Sequence, residues 1–527
     1  MTRRFITYAV SAFVITSGLS SCNDKSSDDL STDTGMTAET LYSSTAITSF
    51  KLKDNSKVLT NLSGVFFTID LNNAVIFNAD SLPYGTNVKK LLMNIGTAGD
   101  NKIELTFIQA DSLKTATVEY TTSSMDSVNF TKPVTVKVTS VNQSYTREYS
   151  IKVNVHQVKS DSLTWGEFQY SALPGTSEGE QIKSSATVEK DGRLYCYTQS
   201  GTQYKRADAK ANLAEGEQQS WTVNSVNFGF TPDLTSMRAS DDSFYVLSTD
   251  KKLYASADGL SWTATGESWD YIYGSYDNHI IGVKQDAGKY MHVAYPAPEG
   301  FVSTQIPAGC PIKGTSQLLS FKNEWSEKPL AIFVGGRKAD GQVSGETWGY
   351  DGSTWALLGN LPKGHAYEGV TLVPYFTFKT NSLTWTFTKQ STLFAICGRN
   401  SDGYLSSRVY ISRDQGLNWH EADELMQLPS DMEKFSSAQG YVCTQYLNAP
   451  EEAAGQNAWK SVGTRELPAW WVINDDATES AASRAVSPIT SWECPYIYIF
   501  GGENLSFETR NQVWRGAINR LTFKPLQ

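Results

Sequence analysis

The sequence predicts an all-β protein, with an N-terminal immunoglobulin-like β-sandwich followed by a six-bladed β-propeller; a seven-bladed propeller is the alternative. Two observations carry this prediction. Short runs with alternating apolar and polar residues fill the region 41–157. A longer unit of about four strands then recurs through 161–527. The composition agrees, since 12% of the residues are aromatic and 39 are Gly, which suits many short strands and turns.

The first 21 residues have the features of a signal peptide. Arg3 and Arg4 are basic, and the apolar run after them is too short to span a bilayer comfortably. The run ends in LSSC, which resembles the lipobox of bacterial lipoproteins. This resemblance implies that Cys22 is lipidated and anchors the mature chain to a membrane. An ordinary signal peptide with a chance cysteine is the alternative.

The stretch 22–40 is polar and acidic, and it is predicted to be a disordered tether. Acidic residues directly after the lipid-bearing cysteine resemble the surface-export signal of Bacteroidota lipoproteins. That resemblance implies the outer face of the outer membrane, with the periplasmic face as the alternative. The whole chain has a formal net charge of −10 and no clustered basic stripe, so nucleic acid is not an expected partner.

The region 41–157 is expected to form the sandwich. It has about the right number of short strands, although it lacks the Cys-Trp-Cys signature of true immunoglobulin domains. Its stretch VFFTIDLNNAVIFNADSLPYGTNVKKL resembles a family of Bacteroidota lipoproteins without an established activity. In that family such a sandwich precedes a propeller of the kelch or galactose-oxidase-like kind. The resemblance implies a spacer or docking platform here.

Six propeller units are predicted to start near residues 186, 234, 269, 316, 367 and 439. Their last strand often opens on an aromatic residue and closes in Leu-Pro, as in WALLGNLP. A strand around Trp165 is expected to help close the ring. The segments Ala331–Trp355 and Tyr496–Phe523 each contain a glycine pair and resemble kelch repeats. A right-handed β-helix would have shorter repeats.

One turn is especially regular. Ser412, Asp414, Gly416 and Trp419 fit the pattern S-x-D-x-G-x-x-W, which resembles the Asp-box of sialidase-type propellers. A short carboxylate can accept backbone hydrogen bonds across a turn, and the tryptophan can return the chain to the core. The four residues are therefore interpreted as structural. In the propellers that they resemble, this turn lies away from the active site.

The candidate ligand-binding residues are tryptophans in a long insertion at 445–492. A loop of this size in a compact domain is usually functional or disordered. The candidates are Trp459, Trp470, Trp471 and Trp492. Their rings could stack on sugars, or the segment around WWVIN could form an extra strand that fills the core.

No metal site or cofactor is predicted. The five histidines are scattered, and the cysteines have no C-x-x-C spacing. Cys196 and Cys397 lie in apolar strand runs and are expected to be buried free thiols. Cys443 and Cys494 fall on two strands of one unit, so a disulfide between them is left open.

No catalytic residue can be assigned, and enzymatic activity is left uncertain. A sialidase would need three arginines for a substrate carboxylate, but Arg238, Arg337 and Arg399 are isolated near strand ends. A galactose oxidase would need copper ligands, and His365 and His420 stand in no such arrangement. The sequence favours a surface-anchored, non-catalytic lipoprotein whose propeller binds a glycan or protein partner. The alternatives are a propeller glycoside hydrolase or sialidase-like enzyme, and a structural subunit of an outer-membrane nutrient-uptake complex.

Overall fold

The computed structural model describes residues 42–78, 81–112, 114–121, 127–156, 162–167, 172–322, 328–380, 387–448 and 491–519. The predicted signal peptide, the tether, Cys22, Trp459, Trp470 and Trp471 lie outside these residues, as does the side chain of Trp492. Two short 3₁₀ turns, Leu62–Gly64 and Glu424–Met426, interrupt a structure otherwise built of strands. Within the described ranges, no helix is long and apolar enough to cross a membrane.

The described part of 42–156 forms eight strands in two sheets around one apolar core. The strands are β1 (Ile47–Leu52), β2 (Thr68–Asp70), β3 (Val75–Phe77), β4 (Met93–Thr97), β5 (Lys102–Ile108), β6 (Thr115–Glu119), β7 (Val134–Thr139) and β8 (Thr146–Lys152). β1 pairs with β4, and the others form a six-stranded sheet in the order β2-β3-β8-β7-β5-β6. The alternation of β7, with Val134, Val136 and Val138 buried, puts one face of this sheet on the core.

The described part of 162–519 forms six antiparallel sheets. The first three are β10 (Ser184–Lys190), β11 (Arg193–Ser200), β12 (Gln203–Lys210), β13 (Thr222–Val226); β14 (Pro232–Ala239), β15 (Phe244–Ser248), β16 (Lys252–Ser256), β17 (Thr263–Ser268); and β18 (Tyr271–Tyr276), β19 (His279–Asp286), β20 (Lys289–Tyr295). The fourth and fifth are β21 (Leu319–Phe321), β22 (Leu330–Arg337), β23 (Val343–Tyr350), β24 (Trp355–Asn360); and β25 (Thr371–Thr380), β26 (Phe387–Arg399), β27 (Leu405–Ser412), β28 (His420–Glu421). The sixth joins β29 (Gln439–Asn448), β30 (Ser491–Phe500) and β31 (Val513–Asn519) to β9 (Ser162–Glu167).

The first strands of the sheets face a common axis. Contacts join β10 to β14, β14 to β18, β25 to β29 and β29 back to β10, so the sheets follow one another around a ring. The ring is completed by β9, which pairs antiparallel with β31 and places Trp165 opposite Gly516. The predicted strand at Trp165 is therefore the fourth strand of the sixth sheet.

The predicted unit starts lie within four residues of the observed first strands. The predicted last strands are less regular than expected. In the third sheet, the expected strand FVSTQIP pairs only through an isolated bridge between Met291 and Gln305. In the fifth sheet, the last strand is just His420–Glu421, and the 3₁₀ turn follows it. Outer strands touch only one neighbour in their sheet, so their length is weakly constrained.

The glycine pairs permit close approach between neighbouring sheets. A Cβ atom on Gly335 would lie 2.3 Å from the carbonyl oxygen of Tyr367, which leads into the fifth sheet. A Cβ atom on Gly502 would lie 2.8 Å from the carbonyl oxygen of Ser436. Real Cβ atoms are not found at such distances, so larger residues here would push the sheets apart.

The two ends of the ring carry different connections. The hairpins between the second and third strands of a sheet lie at the end where the first strands begin, because the strands alternate in direction. We call this end the hairpin face, and it holds the hairpins 337–343, 399–405 and 503–509. The opposite end holds the turns 256–262 and 412–419, and we call it the turn face.

The disulfide left open between Cys443 and Cys494 is absent. Both residues are buried free thiols, as is Cys196. The strand register explains this, since Cys443 lies opposite Tyr496 and Cys494 lies opposite Gln445. The two cysteines are therefore diagonal neighbours and not a directly facing pair. The side chain of Cys397 is outside the described part of the structure.

Candidate functional site

The three hairpins of the hairpin face share one backbone geometry. In the fifth sheet, the amide of Asn400 donates to the carbonyl of Tyr404, and the amide of Gly403 donates back to Asn400. The sixth sheet repeats this pattern with Asn504 in place of Asn400. In both turns the asparagine Oδ1 also accepts two backbone amides. Such asparagine-capped turns fix a hairpin tip firmly.

The fourth position of this turn needs a left-handed backbone. In the fourth and fifth sheets it is filled by Gly341 and Gly403, with φ of 86° and 85°. In the sixth sheet the same position holds Phe507, with φ of 62°. A left-handed conformation costs a residue with a Cβ atom roughly 1–2 kcal/mol, and it is rare for bulky residues. A phenylalanine thus occupies a strained position that its sister hairpins leave to glycine.

Arg399 joins the hairpins of the fifth and sixth sheets. Its Nη1 donates to the carbonyls of Gly403 and Leu505, at 2.9 and 3.3 Å, and its Nη2 donates to the carbonyl of Asn504 at 2.7 Å. Its guanidinium carbon lies 3.7 Å from the centre of the Phe507 ring. The side chain is only 3% exposed. Arg399 therefore holds both hairpin tips together and supports one face of the phenylalanine ring.

The two hairpins that Arg399 joins carry three large apolar side chains that are exposed to solvent. Tyr404, Leu505 and Phe507 are 67%, 58% and 65% exposed, and we call them the aromatic patch. Exposed carboxylates flank it, namely Asp402 on the first hairpin and Glu508 on the second. Large apolar groups fixed on rigid loops with polar neighbours are typical of binding surfaces.

A carboxyl group beside the patch has a raised pKa. Burial raises the pKa of Glu503; Arg399 opposes this shift, while the nearby carboxylates of Glu368 and Asp233 add to it. Glu368 itself forms a two-pronged ion pair with Arg337, through Nε and Nη2. The Glu368 carboxylate raises the pKa of that arginine in turn. Charges from several sheets therefore converge near the axis on the hairpin face.

A hydrogen-bonded cluster joins the inner parts of three sheets. The Gln317 amide donates to the Tyr441 hydroxyl at 2.9 Å, and that hydroxyl donates to the carbonyl of Thr187 at 2.7 Å. Gln317 also accepts the amide of Gly440, and Gln439 accepts the amide of Thr187. Burial raises the pKa of Tyr441 above its ordinary value. These contacts tie the first, fourth and sixth sheets together, so the cluster is interpreted as structural.

The turn Ser412–Trp419 is closed by hydrogen bonds among its own residues. The Asp414 carboxylate accepts bonds from the Ser412 hydroxyl and from both the backbone and side-chain amides of Asn418. Burial alone would raise the pKa of Asp414, but these hydrogen bonds outweigh it and lower the pKa. The Gly416 amide donates to Ser412, and the buried Trp419 donates to Thr347 of the fourth sheet.

A second copy of this turn occurs in the second sheet. The Ser256 hydroxyl donates to Asp258, whose carboxylate also accepts the amides of Leu260 and Ser261. The amide of Gly259 donates to Ser256. Both copies lie on the turn face, at the opposite end of the strands from the aromatic patch. Their hydrogen bonds are directed into the turns themselves.

The chain leaves the ring for the predicted insertion at that same turn face, while Trp459, Trp470 and Trp471 lie outside the described residues. The chain departs from the sixth sheet after Asn448 and re-enters at Ser491, and these two residues are paired. Residues 445–448 and 491–492 are strand and not insertion, so Trp492 lies on β30 opposite Leu447. Since β29 has ten residues, the exit point is about 30 Å along the strand from the hairpin face.

Within the described ranges, no group of three or more His, Cys, Asp or Glu side chains is placed to hold a metal ion. His365 lies between two tyrosines, and its Nδ1 is 3.1 Å from the hydroxyl oxygen of Tyr367 and 2.9 Å from that of Tyr410. His292 is buried between Tyr350 and Trp355.

Sequence reasoning missed the aromatic patch, although Arg337 and Arg399 had been singled out. A signal was present in the hairpin sequences KADGQ, NSDGY and NLSFE. Aligned by their turn, they show phenylalanine where the other two have glycine. No sequence pattern indicates the contact between the two hairpins, because that contact depends on how neighbouring sheets pack against each other.

A ring of antiparallel sheets around one axis, closed by a strand from its own N-terminal side, defines a β-propeller. It follows a separate N-terminal β-domain. Family comparison agrees, since residues 159–526 match the model described as "DUF6242 beta propeller domain" and residues 36–153 match the DUF6242 N-terminal domain, a domain of unknown function. The chain therefore belongs to the DUF6242 family, which confirms the predicted propeller family without an established activity.

Solved structures show more distant likenesses. The WD40 domain of coronin from Toxoplasma gondii has 7% identity and a TM-score of 0.32, covering 70% of this chain and 90% of its own. A DUF4623 family protein from Bacteroides eggerthii has 12% identity and a TM-score of 0.22, covering 72% and 100%. A protein of unknown function from Bacteroides thetaiotaomicron has 11% identity and a TM-score of 0.22, covering 61% and 90%. The fold assignment rests on the family match and not on these. Comparison with curated proteins found no match.

Proposed function

We propose that the chain is a cell-surface lipoprotein whose propeller binds a carbohydrate through the aromatic patch and does not transform it. One observation carries this proposal. Phe507 takes a left-handed backbone that its sister hairpins assign to glycine, and its ring is 65% exposed. Strained backbone conformations of this kind cluster at binding and active sites. An exposed ring contributes little to the core, so its use lies in contact with a ligand.

The surroundings of the ring favour a sugar as the ligand. A pyranose ring offers an apolar face of C–H groups and a rim of hydroxyls. Tyr404 and Phe507 can contact such a face, and the carboxylates of Asp402 and Glu508 can accept hydroxyl hydrogen bonds. The Arg399 clamp orders both hairpins before binding, which lowers the entropic cost of association.

The number of propeller blades, the types of repeat and the type of N-terminal domain are also part of the proposal. The six sheets and the pairing of β9 with β31 support a six-bladed propeller closed between its N- and C-terminal strands. The turns at Asp258 and Asp414 support the Asp-box interpretation, and the close-packed Gly335 and Gly502 support kelch-like repeats. Two sheets around one core support an immunoglobulin-like N-terminal domain in the broad sense, although β3 and β8 pair in parallel.

Surface attachment rests on the lipobox-like LSSC and the acidic residues after it. Replacing Cys22 by alanine should move the protein from the membrane fraction to the soluble fraction. Protease added to intact cells should degrade the unmutated protein, since the outer face is the proposed location. Continued membrane association of the Cys22→Ala protein would contradict the anchor.

Affinity electrophoresis in gels containing polysaccharides tests the binding role. Retardation by at least one polysaccharide should be lost in Tyr404→Ala and Phe507→Gly proteins. It should persist in Tyr145→Ala, which removes a similarly exposed tyrosine from the N-terminal domain. Loss in the Trp470→Ala and Trp471→Ala proteins instead would move the site to the insertion on the turn face.

A second candidate function, glycoside hydrolysis, is favoured by Glu503. Its pKa is raised by burial and by the nearby Glu368 and Asp233, and a carboxylic acid with a raised pKa can serve as a general acid. The polysaccharides that retard the protein should therefore be incubated with it and analysed for reducing ends. Release that disappears in Glu503→Gln would replace the non-catalytic proposal by an enzymatic one.

A further inference from the structure

The charges of the hairpin face define which class of carbohydrate fits. We infer that the aromatic patch takes an uncharged oligosaccharide and rejects glycans with carboxylate or sulfate groups. This inference rests on the proposed carbohydrate-binding function and narrows it. Three observations support it, namely the partners of the arginines, the balance of charge around the patch, and the position of its exposed carboxylates.

The arginines of this face are already bound to the protein. Arg337 forms its two-pronged pair with Glu368 and donates to the carbonyl of Gly341. Arg399 makes three bonds to carbonyls and is 3% exposed. Arg510 donates to Gly501, Gln512 and Glu433. Proteins commonly hold the carboxylate or sulfate of an anionic sugar by a two-pronged hydrogen bond from arginine. Here the anion would first have to displace the protein group to which the arginine already donates.

The charge balance around the patch is negative. The two hairpins that carry the patch, 398–405 and 501–512, and the loop 429–437 beside them are counted without the third hairpin of this face, 337–343. They contain five acidic residues, Asp402, Asp431, Glu433, Glu503 and Glu508, against three basic ones, Arg399, Lys434 and Arg510. A carboxylate or sulfate on the ligand would be repelled within the screening length of about 8 Å. Neutral sugars meet no such repulsion.

The carboxylates nearest the rings suit hydroxyl donors. Asp402 precedes Tyr404 by two residues, and Glu508 directly follows Phe507, so each ring has an exposed carboxylate on its own hairpin. Glu508 Oε2 accepts from Asn504 at 3.1 Å, which orients the group. A carboxylate accepts several hydrogen bonds at once, and vicinal sugar hydroxyls supply donors in pairs.

The test measures affinity for matched neutral and acidic polysaccharides. The full chain is run in gels containing galactomannan, mixed-linkage β-glucan, polygalacturonate or chondroitin sulfate, at 50 and 300 mM NaCl. The expected result is retardation by a neutral polysaccharide only, changing less than about twofold between the salts. Phe507→Gly should weaken it about tenfold or more, whereas Tyr145→Ala should not. The double change Asp402→Lys, Glu508→Lys should weaken neutral binding and create salt-sensitive retardation by polygalacturonate.

The outcomes separate the two proposals. Salt-sensitive binding of an acidic polysaccharide by the unmutated chain, lost in Phe507→Gly, would overturn the neutral-ligand inference and leave carbohydrate binding in place. Absence of retardation by any polysaccharide, or retardation unaffected by Phe507→Gly and Tyr404→Ala, would overturn both. The salt comparison uses the unmutated protein, so it does not depend on how any variant folds.

Discussion

Replacing Phe507 by glycine should lower the free energy of unfolding only slightly. Release of the left-handed strain gains roughly 1–2 kcal/mol. Against this stand the cation–π contact of the largely exposed Phe507 ring with Arg399, worth about 0.5–1 kcal/mol, and burial of about a third of the ring, worth about 0.5–1 kcal/mol. Glycine also adds about 0.5–1 kcal/mol of unfolded-chain entropy. At the midpoints of these ranges the net change is a loss of just under 1 kcal/mol, and the largest loss is about 2 kcal/mol.

Urea unfolding followed by tryptophan fluorescence measures this change. Gly403→Ala provides the matched comparison, because a Cβ atom there meets nothing within 4 Å and the cost is backbone strain alone. That variant should be destabilised by about 1 kcal/mol. A loss of more than about 2 kcal/mol in Phe507→Gly would mean that the ring is a structural anchor. The functional interpretation of its strained backbone would then be wrong.

Three further predictions concern stability and thiol chemistry. Burial lowers the pKa of His292 from 6.5 to about 4, so the unfolded chain binds the extra proton between these values. The stability that the neutral ring confers is complete above pH 6.5 and falls by about 3 kcal/mol as the pH drops to 4. Urea unfolding at pH 7.5 and 4.5 should show a smaller difference in His292→Gln, and an unchanged one in the control His420→Gln, whose ring is exposed. Asp414→Ala should cost about 2 kcal/mol, since three hydrogen bonds lose their acceptor; an unchanged urea midpoint would contradict the structural role of this turn. Cys443 and Cys494 should both be alkylated without reductant, but only after unfolding, because burial raises the pKa of each thiol, that of Cys494 to about 12. Mass spectrometry that finds them disulfide-linked would contradict the free-thiol structure.

The sequence was informative about the propeller because its signals are local and repeated. The strand-forming runs, the glycine pairs and the turn at Asp414 each depend on residues within about ten positions, so they can be recognised in one chain. The closing strand could also be predicted, because it begins with an aromatic residue, Trp165, as the last strands of the other sheets do. The short outer strands of the third and fifth sheets were not predicted, because turns and a 3₁₀ segment replace pairing there.

The candidate site depends on contacts between distant residues. Arg399 reaches Asn504 across 105 positions, and no pattern near either residue indicates that contact. The tryptophans of the insertion were predicted to bind a ligand because long loops commonly carry functional residues. The patch is instead formed by short hairpins of ordinary length. Its one sequence signal, Phe507 among sister glycines, becomes visible only after the three turns have been superimposed.

The closing strand has a consequence for biogenesis. Trp165 pairs with Gly516, so a strand translated early stays unpaired until nearly the whole propeller has been synthesised. Until then, β9 is an unpaired strand, and its free backbone groups are prone to pairing with other chains. Closure of such distant partners is slow, since most of the chain must be ordered first. Synthesis therefore yields an incomplete ring, and β9 is exposed to wrong pairing until β31 has been made.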